Sequence, residues 1–177
     1  MKKGRESTPH IGIFGRRNSG KSSLINALAG QDIAIVSEQA GTTTDPVKKS
    51  FEITGFGPVI LIDTAGIDDI GELGEKRVEK SLNTLRIIDL GILVLNNDTW
   101  GEYEEMLISR FNDTDTPYII VHTKSDLADP SGDFIDKLIQ ITGKKPVIFS
   151  ALTLRNHEEL ISHIRQTIGR FTCGFHN

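Results

Sequence analysis

The octapeptide Gly15-Arg16-Arg17-Asn18-Ser19-Gly20-Lys21-Ser22 matches G-x-x-x-x-G-K-[ST], a pattern that restricts the surrounding fold narrowly. A loop of this kind works only between a buried strand and the first turn of a helix. The flanks comply. His10-Ile11-Gly12-Ile13-Phe14 is a short apolar run of the kind that forms a parallel strand. Ser23-Leu24-Ile25-Asn26-Ala27-Leu28-Ala29 carries apolar residues at helical spacing, with Gly30 as a stop. Strand, turn and helix together aim backbone N–H groups and the positive helix end at one phosphate group. The binding stretch is Arg16, Arg17, Asn18, Ser19, Gly20, Lys21, Ser22 and Ser23. Gly15 and Gly20 permit the turn, Lys21 reaches the β- and γ-phosphates, and the Ser22 hydroxyl is placed to ligate Mg²⁺. A chance match in an ordinary strand-turn-helix is the alternative, and the motifs downstream weigh against it.

Beyond this loop, apolar strand candidates alternate with amphipathic helices, with no internal repeat and no low-complexity segment. Strands are expected at Ile11–Gly15, Val47–Ile53, Val59–Asp63, Leu90–Leu95, Tyr118–His122 and Val147–Ser150. Helices are expected near Lys21–Ala29, Glu72–Thr84, Glu102–Phe111, Phe134–Ile141 and His157–Ile168. Five strand candidates are near-continuous apolar runs, as parallel strands covered on both faces require. The sixth, Val47-Lys48-Lys49-Ser50-Phe51-Glu52-Ile53, alternates and precedes Thr54-Gly55-Phe56-Gly57, which predicts an antiparallel edge strand entering a hairpin. The expected fold is α/β: a three-layer sandwich on a mostly parallel six-stranded sheet with one antiparallel edge strand. Ligands bind at the carboxyl ends of such strands.

The remaining motifs fall where that fold binds. Asp63-Thr64-Ala65-Gly66 ends a buried strand about forty residues after the phosphate loop. A carboxylate there can hold Mg²⁺ through water, and the Gly66 N–H can approach a γ-phosphate. An Asp that merely caps the next turn is the alternative. Gln31–Pro46 reads as a long loop ending in Gly41-Thr42-Thr43-Thr44-Asp45-Pro46. Long loops in compact domains are usually functional or mobile, and the Thr42-Thr43 pair offers a hydroxyl to complete the Mg²⁺ shell. The alternative is a threonine-rich turn without a ligand. After the fifth strand candidate comes Thr123-Lys124-Ser125-Asp126. Asp126 can accept from both the ring N–H and the exocyclic amine of guanine, a pattern adenine lacks. Lys124 would pack its stem over the base, and Ser150-Ala151-Leu152 can supply a backbone N–H to the guanine oxygen. Lys21, Thr43 and Gly66 are the candidates for action on the transferred phosphoryl group.

Composition narrows the setting. The chain has 177 residues, 37% hydrophobic and 25% charged, as in a single soluble domain. No apolar run approaches the roughly 20 residues needed to cross a bilayer. Residues 1–9 read as a flexible lead without the apolar core of a signal peptide, 10–170 as the folded domain, and 171–177 as a tail. The net charge of −4 disfavours a general nucleic-acid surface. A lone cysteine, Cys173, fits a reducing cytoplasm, and with His176 alone it makes too small a metal ligand set.

Taken together, these elements resemble GTPases of the translation-factor-related class, and the group that includes Era, Der and MnmE. Within that group, Gly15-Arg16-Arg17-Asn18, Ala40-Gly41-Thr42-Thr43-Thr44-Asp45-Pro46-Val47 and Asp68-Asp69-Ile70-Gly71-Glu72-Leu73-Gly74 with Arg77-Val78-Glu79-Lys80 resemble the HydF family, GTPases of [FeFe]-hydrogenase maturation. The resemblance covers about residues 10–170. It implies GTP/GDP and Mg²⁺ as cofactors, and a K⁺ ion near the β- and γ-phosphates ligated by Asn18. Other hydrogenase maturation proteins and the hydrogenase apoprotein are the partners it implies, without membrane or nucleic acid. It also implies a longer protein whose dimerisation and Fe–S cluster domains lie beyond this chain, so that any homodimer forms mainly through them.

Departures from the family pattern qualify these expectations. Ile67 follows Gly66 where many small GTPases carry a water-orienting glutamine, so hydrolysis should be slow or depend on another group. Glu72 and Glu75 are candidates for that role, and solvated helix-start carboxylates are the equal alternative. Thr123 replaces the usual asparagine and loses the amide that ties the base to the phosphate loop. The expected activity is Mg²⁺-dependent GTP hydrolysis. A nucleotide-gated interaction module and a P-loop ATPase are its rivals.

Overall fold

The computed structural model describes residues 8–16, 20–30, 33–39, 47–53, 57–63, 83–96, 98–123, 129–150, 153 and 156–173. Its strands are β1 (His10–Gly15), β2 (Ile33–Gln39), β3 (Val47–Ile53), β4 (Gly57–Asp63), β5 (Leu90–Leu95), β6 (Tyr118–His122) and β7 (Val147–Ile148). The helices are α1 (Lys21–Gly30), α2 (Glu102–Asp113), α3 (Gly132–Thr142) and α4 (His157–Cys173). The expected helix at Glu72–Thr84 falls almost wholly outside the described residues; 83–85 are helical.

Among the described residues the sheet has seven strands, ordered β2-β3-β4-β1-β5-β6-β7. β4, β1, β5, β6 and β7 pair in parallel, whereas β3 runs antiparallel to both β4 and β2. The α/β class and the single antiparallel strand agree with the sequence expectation. The position of that strand does not. Residues 33–39, read as part of a long loop, form β2 and displace β3 from the edge. Alternation in β3 reports unequal faces, with Phe51 and Ile53 buried and Glu52 exposed, and does not report an edge. The β2–β3 register slips between Ile35 and Ser37, an irregularity that masks the strand's period in sequence.

The parallel strands are apolar throughout because helices cover both faces. On one side Leu24, Ile25 and Leu28 of α1 and Leu160, Ile161, Ile164 and Ile168 of α4 pack with Ile11, Ile13, Ile92 and Val121. On the other, Tyr103, Leu107, Ile108 and Phe111 of α2 and Phe134 and Leu138 of α3 pack with Phe14, Leu93 and Ile120. The helix borders follow local chemistry. The Ser131 hydroxyl caps α3 by accepting from Phe134 N–H at 3.1 Å, and Gly143 closes it at φ 72°. Two central glycines admit neighbours: a Cβ on Gly91 would lie 2.5 Å from the Phe111 ring, and one on Gly12 2.8 Å from the Phe14 ring. The carboxyl ends of the parallel strands thus converge on one edge of the sandwich, where Gly15, Asp63, Thr123 and Ser150 sit.

Candidate nucleotide-binding site

β1 delivers Gly15 and Arg16 to the mouth of the sheet, and α1 leaves it at Lys21. Gly20 stands at φ 103°, a region L side chains rarely adopt, and its carbonyl accepts the Leu24 N–H at 2.9 Å to start the helix. Lys21 is 4% exposed. Its ammonium donates to the carbonyls of Gly15 at 2.7 Å and Arg16 at 3.0 Å, so the lysine closes back over the strand end from which the loop departs. A cation held at that mouth beside a helix N-terminus favours an anionic ligand.

Arg16 is anchored outward. Its Nε donates to Glu104 Oε2 at 2.7 Å and its Nη2 to Oε1 at 2.8 Å, a bidentate fork onto α2. Glu104 is 1% exposed, and its Oε1 also accepts the Gly101 N–H at 2.8 Å, capping the helix start. Burial opposes the charge on Glu104, but the hydrogen bonds from Arg16 and from backbone N–H outweigh it and hold its carboxyl below the usual range. The hydrogen bond to Glu104 likewise raises Arg16. With its guanidinium engaged on α2, Arg16 has its backbone to offer a ligand at the loop.

Thr123 follows β6 directly. Its N–H donates to Leu95 O at 2.8 Å and its hydroxyl to the same carbonyl at 3.2 Å. A Cβ on Gly20 would lie 2.8 Å from Thr123 Oγ1, so Thr123, which opens the Thr123–Asp126 string, lies close against the phosphate loop. The amide expected at this position is absent, yet the contact between the two motifs is kept by packing. Ser150 is fully buried, and its hydroxyl accepts the Thr153 N–H at 3.1 Å, which shapes the chain after β7.

Two expected Mg²⁺ ligands are placed by the backbone. Ser22 lies in the first turn of α1, and Asp63 ends β4, paired in register with Ile13 of the strand that feeds the loop. That placement fits a divalent cation between a helix start and a neighbouring strand end. Ser23 is exposed on α1. Arg17, Asn18, Ser19, Thr42, Thr43, Gly66, Ile67, Glu72, Glu75, Lys124, Asp126, Ala151 and Leu152 lie outside the described residues.

Glu104 and His122 are the residues the sequence motifs did not single out. For Glu104 a signal existed: Gly101 and Glu104 stand at N-cap and N3 spacing. His122, 1% exposed, ends β6 one residue before Thr123. Its Nε2 is 3.4 Å from Asp98 Oδ1, and neither ring nitrogen has a hydrogen bond to a described residue. Burial pushes its pKa down despite the opposing pull of Asp98 and Asp129, and this favours the neutral ring.

A phosphate loop, an Asp-ended strand beside it and a buried Thr123 contact at the carboxyl edge of a three-layer sheet define a P-loop nucleotide-binding domain. Comparison with known proteins carries this one step further. The model of the family described as 50S ribosome-binding GTPase matches residues 10–124. The chain belongs to this P-loop GTPase family. It is 35% identical over 164 residues to the tRNA modification GTPase MnmE of Geobacillus kaustophilus, covering 92% of this chain and 34% of that protein. The Chromobacterium violaceum MnmE is 39% identical over 120 residues, covering 67% and 26%. The chain thus spans about a quarter to a third of the length of these curated relatives. Among solved structures, Aquifex aeolicus Era bound to GDP and AlF4⁻ superposes with a TM-score of 0.69 at 28% identity, covering 90% of this chain and 56% of that one. The G domain of the T. maritima FeoB iron transporter shares the fold, with a TM-score of 0.64 at 23% identity. No helix among the described residues is long and apolar enough to cross a membrane.

Proposed function

We propose that this chain binds GTP with Mg²⁺ and hydrolyses it to GDP and phosphate, stimulated by K⁺, as a conformational switch. The observation that carries the reading is the contact between Gly20 of the phosphate loop and Thr123 of the Thr123–Asp126 string. It sets Thr123, the residue from which that string starts, beside the phosphate loop, which supports a base site next to the phosphate site. In this reading Lys21 holds the β- and γ-phosphates, and the backbone from Arg16 to Ser23 surrounds them. Ser22, Thr43 and Asp63 hold Mg²⁺, which offsets charge on the phosphates when bound. The Gly66 N–H meets the γ-phosphate, Asp126 and Lys124 take the base, and Ser150, Ala151 and Leu152 border its oxygen.

Support for K⁺ comes from Asn18 and the family resemblance: a cation ligated there would stabilise charge developing on the transferred group. Phosphate release from GTP and ATP, measured in K⁺ and in Na⁺, tests the whole assignment. GTP turnover that is faster in K⁺, lost in Lys21→Ala, and no longer K⁺-dependent in Asn18→Ala supports it. Equal and negligible rates in both ions leave a binding switch. Unchanged nucleotide preference in Asp126→Ala would favour the ATPase.

For the cellular role we propose [FeFe]-hydrogenase maturation, in contact with other maturation proteins and the apoprotein. Its support is the pair of strings Thr42-Thr43-Thr44-Asp45-Pro46-Val47 and Asp68-Asp69-Ile70-Gly71-Glu72-Leu73-Gly74. A second reading, tRNA modification, is favoured by the 35% identity to MnmE. Era is also known in complex with a 16S ribosomal RNA segment, a partner this acidic chain is not expected to share. Cells lacking this protein separate the two roles. Loss of hydrogenase activity with tRNA modification intact supports the first, and the reverse pattern supports the second.

A further inference from the structure

The Arg16 to Glu104 fork joins the phosphate loop to a helix that carries none of the nucleotide motifs. A buried carboxylate is costly unless fully paired, and Glu104 is paired at both oxygens. One of its donors, Gly101 N–H, caps α2, and the other two belong to Arg16. The Arg16 carbonyl in turn accepts from Lys21 at 3.0 Å. A continuous chain of polar contacts therefore runs from the start of α2, through Arg16, to the ammonium expected on the phosphates. Gly101 completes the arrangement: a Cβ there would lie 2.8 Å from Arg16 Nη2 and would push the fork aside. The far flank of the loop, Gly20, lies separately against Thr123, with no room between them for a side chain. The loop is thus braced at both flanks, by α2 and by the chain after β6.

We propose that Glu104 is a positioning residue for nucleotide retention, acting through Arg16 to hold the near flank of the phosphate loop in its receiving conformation. A loop that is ordered beforehand loses less entropy when the nucleotide binds, and this advantage is expressed mainly as slower release. Glu104 has no contact with the nucleotide in this scheme. The inference rests on the guanine-nucleotide reading above, and the experiment distinguishes the two.

The test is release of a fluorescent GDP analogue from the whole chain by stopped flow, with thermal unfolding of each variant recorded in parallel. Glu104→Gln keeps an oxygen for the Gly101 N–H while losing the fork. Arg16→Met keeps the stem of a 40%-exposed side chain but leaves the buried Glu104 with the Gly101 N–H alone, so its release rate is read beside its unfolding midpoint. Gly101→Ala displaces the fork while leaving both partners in place. Glu104→Gln and Arg16→Met are expected to release GDP about tenfold faster, the scale of a lost charge-assisted pair, and Gly101→Ala, which shifts only the guanidinium end, about threefold faster. Association should change by no more than about twofold. Arg16→Lys should fall between wild type and Arg16→Met, because one donor cannot rebuild the fork. The Arg16→Met/Glu104→Gln double variant should be no faster than the faster single one. Wild-type release rates in folded Arg16→Met and Gly101→Ala would overturn the proposal while leaving the nucleotide reading intact. Multiplicative effects in the double variant would also overturn it. A wild-type chain that binds no GDP removes the nucleotide reading and the proposal with it.

Discussion

Gly20 meets two demands at once, and each excludes a side chain. Its φ of 103° is strained for any L residue, and the space its Cβ would occupy is taken by Thr123. Gly20→Ala is therefore expected to weaken GDP binding at least about tenfold, as left-handed strain and steric displacement add. Titration with GDP checks this, and an unaltered dissociation constant would count against the contact. Thr123 shows how far a motif can be read. The loss of the asparagine amide was legible in the sequence. That a threonine would still pack against the loop was not, because this depends on where β6 ends relative to β1. Arg16 is the converse case. Its place in the loop suggested a ligand contact, whereas its long side chain reaches a carboxylate 88 residues away.

At the scale of the element, the parallel strands and four of the helices were legible because apolar runs and 3.6-residue stripes were both long and uninterrupted. β2 was not. Its apolar half, Ile33-Ala34-Ile35-Val36, gives way to Ser37-Glu38-Gln39, and the register slip between Ile35 and Ser37 breaks the period. The packing of β5 on α2 yields a firm prediction. Phe111 stacks on Tyr118 at 5.0 Å between ring centroids, meets Phe14 edge-on at 5.7 Å, and lies over the bare backbone of Gly91. Gly91→Ala would place a methyl inside that ring's volume, and a central strand held on both sides cannot retreat. The expected cost is about 1–3 kcal/mol, read as a lower urea midpoint with unchanged slope. The companion Phe111→Leu should partly restore stability in the Gly91→Ala background, since the smaller side chain frees the space. An additive loss in the pair would argue against direct contact.

For the whole molecule, the two apolar clusters lie on opposite faces of one sheet, so stability is shared by both sides while the polar site gathers at the strand ends. Buried ionisable groups near that edge couple stability to pH. His122 is pushed below its ordinary value by burial, with Asp98 and Asp129 opposing the shift. The unfolded chain therefore takes up a proton there before the folded chain does. Stability contributed by the neutral ring is complete above about pH 6.5 and declines as pH falls toward the lower folded value. Glu104 is also held low, so its contribution is complete above about pH 4.3 and is lost only as pH falls through its folded value. Two windows follow, one belonging to each residue. Thermal unfolding between pH 7.5 and 5 should show a decline in midpoint that His122→Gln flattens and Glu104→Gln leaves in place. Below about pH 4.3 the sensitivities exchange: Glu104→Gln makes the slope there shallower, and His122→Gln leaves it unchanged. A decline between pH 7.5 and 5 that His122→Gln leaves untouched would assign that window to other groups, and would remove the buried imidazole as the link between acidity and stability.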